Sequence, residues 1–130
     1  MRIQERKENL HYFNAYDDDN THIGGVAVEH SDFMHYAYKE HCNTDELKCA
    51  KIIYVHVFKQ FRCKGCATAL LNKVLDYYKD WDVFLNIIPL DPKQDGFNTV
   101  KGLTKFYEKF GFKRCENPGN LPAMVRPAIV

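Results

Sequence analysis

A mixed α/β sheet layered with helices is the fold that this sequence predicts, on three observations. The segment Ala50–Phe58 (AKIIYVHVF) is β-branched, aromatic and nearly continuous in its apolar character, as a central buried strand should be. From Cys66 the period changes: Ala67, Leu70, Leu71, Val74, Leu75 and Tyr78 recur at three- and four-residue steps, with Asn72, Lys73, Asp76 and Lys79 opposite. That pattern is an amphipathic helix of roughly four turns. A strand and a helix then follow again before the chain closes in strands, giving the order strands, helix, strand, helix, strands.

The other elements follow from local signals. Asn9–Tyr16 (NLHYFNAY) is aromatic-rich and reads as a strand, and Asp17-Asp18-Asp19-Asn20 is a turn signal. His22–His30 (HIGGVAVEH) reads as a second strand whose start is weakened by Gly24 and Gly25. Phe33–Tyr38 reads as a third short strand, and Asn43-Thr44-Asp45 breaks the chain before Ala50. Asp82–Ile88 is a strand and Pro89–Phe97 a loop. A helix follows, N-capped by Asn98 or Thr99, with Val100, Leu103, Phe106, Tyr107 and Phe110 on one side and Gly111 at its left-handed C-terminal cap. Phe112–Cys115 and Ala123–Val130 are closing strands around the turn Asn117-Pro118-Gly119-Asn120.

The 130 residues fit one domain with a single sizeable core, and 45% of them are apolar. No run approaches the roughly 18 apolar residues of a membrane span. The N-terminal MRIQERKENL lacks the apolar stretch of a secretory signal, so a cytoplasmic location is expected. Eighteen basic and 17 acidic residues leave a net charge of +1, which argues against a dedicated nucleic-acid binder. Five cysteines, an odd number without a repeat in spacing, suit reduced thiols better than a disulfide framework.

The segment Gln60–Leu70 (QFRCKGCATAL) supports two chemistries. As Cys63-x-x-Cys66 after a buried strand, it matches the entry to a thioredoxin-like dithiol site or half of a zinc site. Cys42, Cys49, His35 or His41 would have to complete the zinc site, and their spacing matches no ribbon or finger, so no metal is expected. As Arg62-x-x-Gly65-x-Ala67 opening a helix, the same residues form an anion cradle. The first turn of a helix leaves its N–H groups unpaired, Gly65 and Ala67 keep the main chain accessible, and Arg62 and Lys64 add charge.

This second pattern, in its setting, resembles the GNAT superfamily of acyl-CoA-dependent N-acetyltransferases. The family's valine at the end of its fourth strand, then R/Q-x-x-G-x-G/A, then paired leucines, are similar to Val57, Arg62–Ala67 and Leu70-Leu71 here. Its second landmark, an aromatic-Tyr pair before Gly-Phe, is similar to Phe106-Tyr107-Glu108-Lys109-Phe110-Gly111-Phe112. The resemblance is firm over Lys51–Arg114, and Met124-Val125-Arg126 looks like the family's last strand. It implies a mixed, mostly antiparallel sheet whose fourth and fifth strands splay, with acetyl-CoA as cosubstrate, no metal and an amine acceptor on a protein or small molecule. Main-chain groups of Val55, His56 and Val57 would pair with pantetheine, with the Val55 N–H polarising the thioester carbonyl. N–H groups from Cys63, Lys64, Gly65, Cys66, Ala67 and Thr68 would hold the pyrophosphate. Tyr107 would be the general acid, and Asn98 stands near the position of a further coenzyme-binding asparagine, where Val100 is found instead.

The family's base, a Glu or a pair of His near the start of the fourth strand, falls on Lys51 and Ile53, neither of which can serve. His56 is the catalytic nominee, with Glu29, His30, Asp32, His35 or a water chain as others. One or two helices usually separate the family's first two strands, but Tyr16 and His22 are joined by little more than DDDN, so a direct hairpin without the first helices is expected. A shortened wall suits a bulky acceptor such as a protein lysine or N-terminus. No membrane partner is expected, and a homodimer is compatible with the chain. A thiol-disulfide oxidoreductase using Cys63 and Cys66, or a non-catalytic acyl-CoA-binding or interaction module on the same fold, are the alternatives.

Overall fold

The computed structural model describes residues 1–44, 46–62, 64–87, 100–115 and 122–129. Seven strands form one sheet in the order β1-β2-β3-β4-β5-β7-β6. They are β1 (Arg2–Lys7), β2 (His11–Tyr16), β3 (His22–His30), β4 (Cys49–Val57), β5 (Asp82–Asn86), β6 (Lys113–Cys115) and β7 (Ala123–Arg126). Only β4 and β5 run parallel; every other neighbouring pair is antiparallel. The helices are α1 (Asp32–Ala37), α2 (Cys66–Tyr77) and α3 (Val100–Glu108).

Alternation along the strands sorts side chains onto two faces. Phe13, Ala15, Val26, Val28, Ala50, Ile52, Val83, Leu85 and Met124 face α2, whose Leu70, Leu71, Val74 and Leu75 complete the main core. Leu103, Phe106, Tyr107 and Phe110 of the α3 region pack against it, as the apolar stripe predicts. Beneath α1 on the opposite face lies a smaller core of Met34, Tyr38, Cys49, Phe84, Cys115, Ala123 and Val125. Its neighbour Asp82 is fully buried, and its carboxylate accepts main-chain N–H groups from Asn43 at 3.0 Å, Thr44 at 3.3 Å and Ala128 at 2.8 Å. That carboxylate ties the segment before β4 to the end of the chain.

The strand expected over Phe33–Tyr38 is instead the short helix α1 and its cap. Ser31 is the N-cap, its hydroxyl accepting the Met34 N–H at 3.3 Å, and buried Met34, His35 and Tyr38 fall at helical rather than alternating steps. The closing strand expected to reach Val130 stops at Arg126, before Pro127, whose ring nitrogen has no hydrogen to donate to a sheet. β1 is an additional edge strand. The expected direct hairpin joins β2 to β3, and β1 is joined to β2 across Glu8-Asn9-Leu10, so among the described residues no helix interrupts the first three strands. The expected loop Pro89–Phe97, the N-cap at Asn98 or Thr99 and the turn at Asn117–Asn120 lie outside the described residues.

Candidate active site

The site begins where two strands part. β4 and β5 are paired from Cys49/Asp82 to Ile52/Leu85, after which β4 continues to Val57 and β5 only to Asn86. A cavity of about 730 Å³ opens beyond the last pair, reaching Val55, His56 and Val57 on one side and Leu85 and Asn86 on the other. The start of α2 (Gly65, Cys66, Ala67, Thr68) and Leu103, Phe106 and Tyr107 of α3 close its remaining walls.

The phase of β4 decides which main-chain groups meet this cavity. Tyr54 pairs with Ala27 but Ile52 pairs with Val28, so Ile53 is an extra, bulged residue. The bulge shifts the alternation by one: Ala50 and Ile52 before it and Val55 and Val57 after it all face the main core. Phe58 donates its N–H to the Ile23 carbonyl at 3.0 Å. Its alternate residue His56, opposite Gly25, therefore also directs its main chain toward β3. Val55 and Val57 turn theirs to the edge that β5 has left. The Val57 carbonyl accepts from Arg62 Nε at 3.0 Å, which fixes the loop leading to α2. Of the three residues expected to meet pantetheine, all line the cavity; Val55 and Val57 turn their main chain to the free edge, and His56 turns its own toward β3.

Gly65 is the N-cap of α2 with φ +81° and ψ 7°. A Cβ there would meet no protein atom within 4 Å, so it is the left-handed backbone that calls for glycine. The first bond of the helix runs from the Ala69 N–H to the Gly65 carbonyl at 3.0 Å, leaving the preceding first-turn N–H groups without helical acceptors. Arg62 and Thr68 line the same cavity; Lys64 is exposed and does not. Cys63 and Asn98 lie outside the described residues. Cys66 is buried and its thiol is pushed up by desolvation, the reverse of the activated thiol a dithiol enzyme needs.

Tyr107 lines the cavity from α3, its ring 5.8 Å from that of Phe112. Burial pushes its phenol up to about 12, so it stays protonated at neutral pH. His56 lies on the face opposite Val55 and Val57, its ring 5.8 Å from His22 and 5.3 Å from both Tyr54 and Phe58. Burial first, and His22 second, lower its pKa, so the imidazole is neutral at pH 7. Through the gap between the strands the cavity touches both faces of the sheet, with His56 and Tyr107 among its walls. Glu29, His30, Asp32 and His35, the other nominees for a base, do not line it. Two features that escaped the sequence reading shape the site. These are the bulge at Ile53 and the tight seat of Gly24, where a Cβ would lie 2.6 Å from the His56 carbonyl oxygen.

Comparison with known proteins agrees with this geometry. The model of the acetyltransferase (GNAT) family matches residues 1–112. No curated protein matches the chain at a significant level. Among solved structures, a ribosomal-protein alanine N-acetyltransferase from Escherichia coli is similar with a TM-score of 0.64 at 12% identity, over 96% of this chain and 74% of that one. A GNAT family N-acetyltransferase from Escherichia coli, solved in complex with CoA, gives 0.59 at 21% identity over 89% of this chain and 57% of that one. The PaiA N-acetyltransferase from Thermoplasma acidophilum, in complex with coenzyme A, gives 0.58 at 18% identity over 88% and 58%. This chain spans 66% of the first acetyltransferase matched, from Corynebacterium glutamicum. With the family model matched over residues 1–112 and a mostly antiparallel sheet parting between β4 and β5, the chain belongs to the GNAT family of acetyltransferases.

Proposed function

We propose that this chain transfers an acetyl group from acetyl-CoA to the amine of an acceptor by direct attack on the thioester. The observation that carries the reading is the parting of β4 and β5 beyond Ile52 and Leu85, which turns the main chain of Val55 and Val57 toward a cavity ending at the N-terminus of α2. An extended pantetheine arm satisfies such an edge by adding main-chain-like amide bonds. The coenzyme's pyrophosphate suits the first turn of α2, where N–H groups and the helix dipole favour negative charge and Arg62 stands beside them.

The chemistry then needs three groups. The Val55 N–H polarises the thioester carbonyl and holds the oxyanion formed when the amine nitrogen bonds to the carbonyl carbon. His56, neutral at pH 7, takes the proton lost by the attacking amine, directly or through water. As the C–S bond breaks, Tyr107 gives its phenolic proton to the departing thiolate, and its own proton is restored from solvent. The direct hairpins at the front leave the His56 face of β4 uncovered by any helix between the first strands, and Tyr54 and Phe58 are exposed there. That face suits a bulky acceptor, a protein lysine or N-terminus, better than a small amine enclosed on all sides.

The test is release of coenzyme A thiol from acetyl-CoA with peptides, intact proteins and small amines offered as acceptors, read together with mass spectrometry of the acceptor. Acetylation of peptide or protein amines is expected; turnover of small amines alone overturns the acceptor class. Acetyl-CoA binding without turnover of any acceptor favours a non-catalytic module, a reading that the absence of a carboxylate at Lys51 and Ile53 keeps in view.

A further inference from the structure

On the opposite face of the sheet from α2, three metal-binding side chains from separate parts of the chain converge. His35 stands on α1, Cys42 follows the short 3₁₀ turn Lys39–His41, and Cys49 is the first residue of β4. The Cys42 and Cys49 sulfurs are 3.8 Å apart, and Cys49 Sγ is 3.8 Å from His35 Nδ1. All three ligand atoms lie within 4.8 Å of one another. Cys49 and His35 are buried and Cys42 is half-buried, so one side of the cluster reaches toward solvent.

We propose that His35, Cys42 and Cys49 form a binding site for a thiophilic divalent cation, zinc foremost, with water in the fourth position. A tetrahedron with Zn–S of about 2.3 Å and Zn–N of about 2.0 Å has ligand-to-ligand edges of about 3.8 Å between sulfurs and about 3.5 Å between sulfur and nitrogen. The sulfur–sulfur separation matches that edge. The Cys49–His35 sulfur–nitrogen distance is only a few tenths of an ångström longer, and the Cys42–His35 pair, within 4.8 Å, closes further on binding. A disulfide would need the sulfurs at about 2.05 Å, much closer than they are. A nucleophilic Cys–His pair is a poorer use of the same atoms, because Cys49 is 2% exposed and no substrate carbon can reach its sulfur. Two thiolates and a doubly charged cation sum to zero, so a half-buried site of this composition avoids the cost of isolated charge. Its lever is mechanical. The chain between β3 and β4 is built from α1, one 3₁₀ turn and loops, and the metal would fasten both halves of that segment to the base of β4.

The proposal is independent of the acetyl-transfer reading and is tested without any activity assay. Protein stripped with a chelator and kept reduced is titrated with cobalt(II), a spectroscopic probe for zinc sites. One equivalent is expected to bind with a sulfur-to-cobalt charge-transfer band and the visible bands of tetrahedral cobalt, and zinc should displace it. Cys42→Ser, at the half-buried position least able to disturb folding, and His35→Ala should each abolish or strongly weaken the band while circular dichroism stays native. The double variant Cys63→Ser/Cys66→Ser should keep it. Zinc should raise the melting temperature of the parent chain and leave that of Cys42→Ser unchanged. Absence of the cobalt bands, or their loss in Cys63→Ser/Cys66→Ser with survival in Cys42→Ser, overturns the proposal. So does isolation of the reduced-buffer protein with a Cys42–Cys49 disulfide.

Discussion

Gly24 packs against the His56 main chain so closely that a Cβ at Gly24 would lie 2.6 Å from the His56 carbonyl oxygen. It would also sit 3.2 Å from Val57 Cγ2 and 3.3 Å from Cys66 Sγ. Two of the three neighbours belong to β4 beside the cavity and the third opens α2, so this glycine seats β3 against both. Because the nearest atom is backbone, the contact cannot be relieved by a rotamer change. Gly24→Ala is expected to destabilise the chain by about 1–3 kcal/mol in urea unfolding, the range for overpacking a core, and to weaken coenzyme binding as β4 shifts. An unchanged midpoint would mean that β3 and β4 give way at no cost.

Tyr107→Phe removes the proposed acid and little else, since the ring stays packed beside Phe106 and Phe112. Turnover should fall by about 10²–10⁴-fold, the range for a positioned acid or base, with acetyl-CoA affinity nearly intact. Calorimetric titration beside a thiol-release assay separates the two effects. Equal losses in affinity and rate would make Tyr107 a packing residue.

Acetyl-CoA at a hundred times its Kd should raise stability by roughly 2.7 kcal/mol if it binds only the folded chain. Gly65→Ala should shrink that gain. Holding a non-glycine residue at φ +81° costs about 1–2 kcal/mol, and relaxing it would swing the first-turn N–H groups away from the coenzyme. A flat melting curve with acetyl-CoA in the parent chain would remove the basis for the whole reading.

The pH dependence follows from groups held neutral by burial. His11 bonds Tyr78 through Nδ1 at 2.7 Å and Glu5 through Nε2 at 3.0 Å; desolvation outweighs the upward pull of Glu5 and lowers its pKa. His56 is lowered as well. A histidine whose folded pKa is depressed binds fewer protons folded than unfolded, so its contribution is present above about 6.5 and lost as pH falls through the folded value. Tyr78 and Tyr107 are pushed up to about 12, mainly by burial, so their contribution is present below about 10 and lost as pH rises toward 12. The buried Cys66 thiol is pushed up as well, so its contribution is lost as pH rises from about 8.5. Unfolding midpoints should therefore hold from about pH 6.5 to 8.5 and drop on both sides, with His11→Asn flattening the acid limb. The acetylation rate should show its own acid limb below 6.5, removed in His56→Gln along with most of the activity. A limb that survives His56→Gln would assign the base elsewhere.

Asp82→Ala would leave the N–H groups of Asn43, Thr44 and Ala128 without their acceptor. Only the Ala128 bond is buried and the other two are part-buried, so a loss of about 1–3 kcal/mol, the range for one buried donor left unpaired, is expected by denaturant unfolding. A loss below 1 kcal/mol would show that water replaces the carboxylate, as it does at exposed turns.

Much of the core machinery was legible because its signals are local. The three- and four-residue steps of α2, the stripe on α3 and the apolar run of β4 each need only a short window, and Gly111 adopts the left-handed backbone expected of it. What escaped is what depends on neighbours. β1 is five-sixths exposed, with only Ile3 packed on the core, so RIQERK carries no alternation to read. The aromatic run Phe33–Tyr38 imitates a strand because Phe33 and Tyr36 are exposed and mask the helical spacing of Met34 and Tyr38. In AKIIYVHVF nearly every residue is apolar, so a change of phase at Ile53 leaves no mark. His35, Cys42 and Cys49 sit at equal seven-residue intervals, which means nothing until α1 folds over the foot of β4.

The bulged Ile53 makes β4 two half-strands out of step by one position. Were Ile53 paired regularly with Ala27 instead, every residue above it would move one position along β3, with Val55 and Val57 thrown outward and His56 driven into the hydrophobic interior. Deleting that one residue is therefore expected to spare the arrangement, since Tyr54 still meets Ala27 while Val55 and Val57 keep their inward side, and only the local kink is lost. The spare residue is thus a spacer that can be withdrawn without the coenzyme side and the acceptor side trading places.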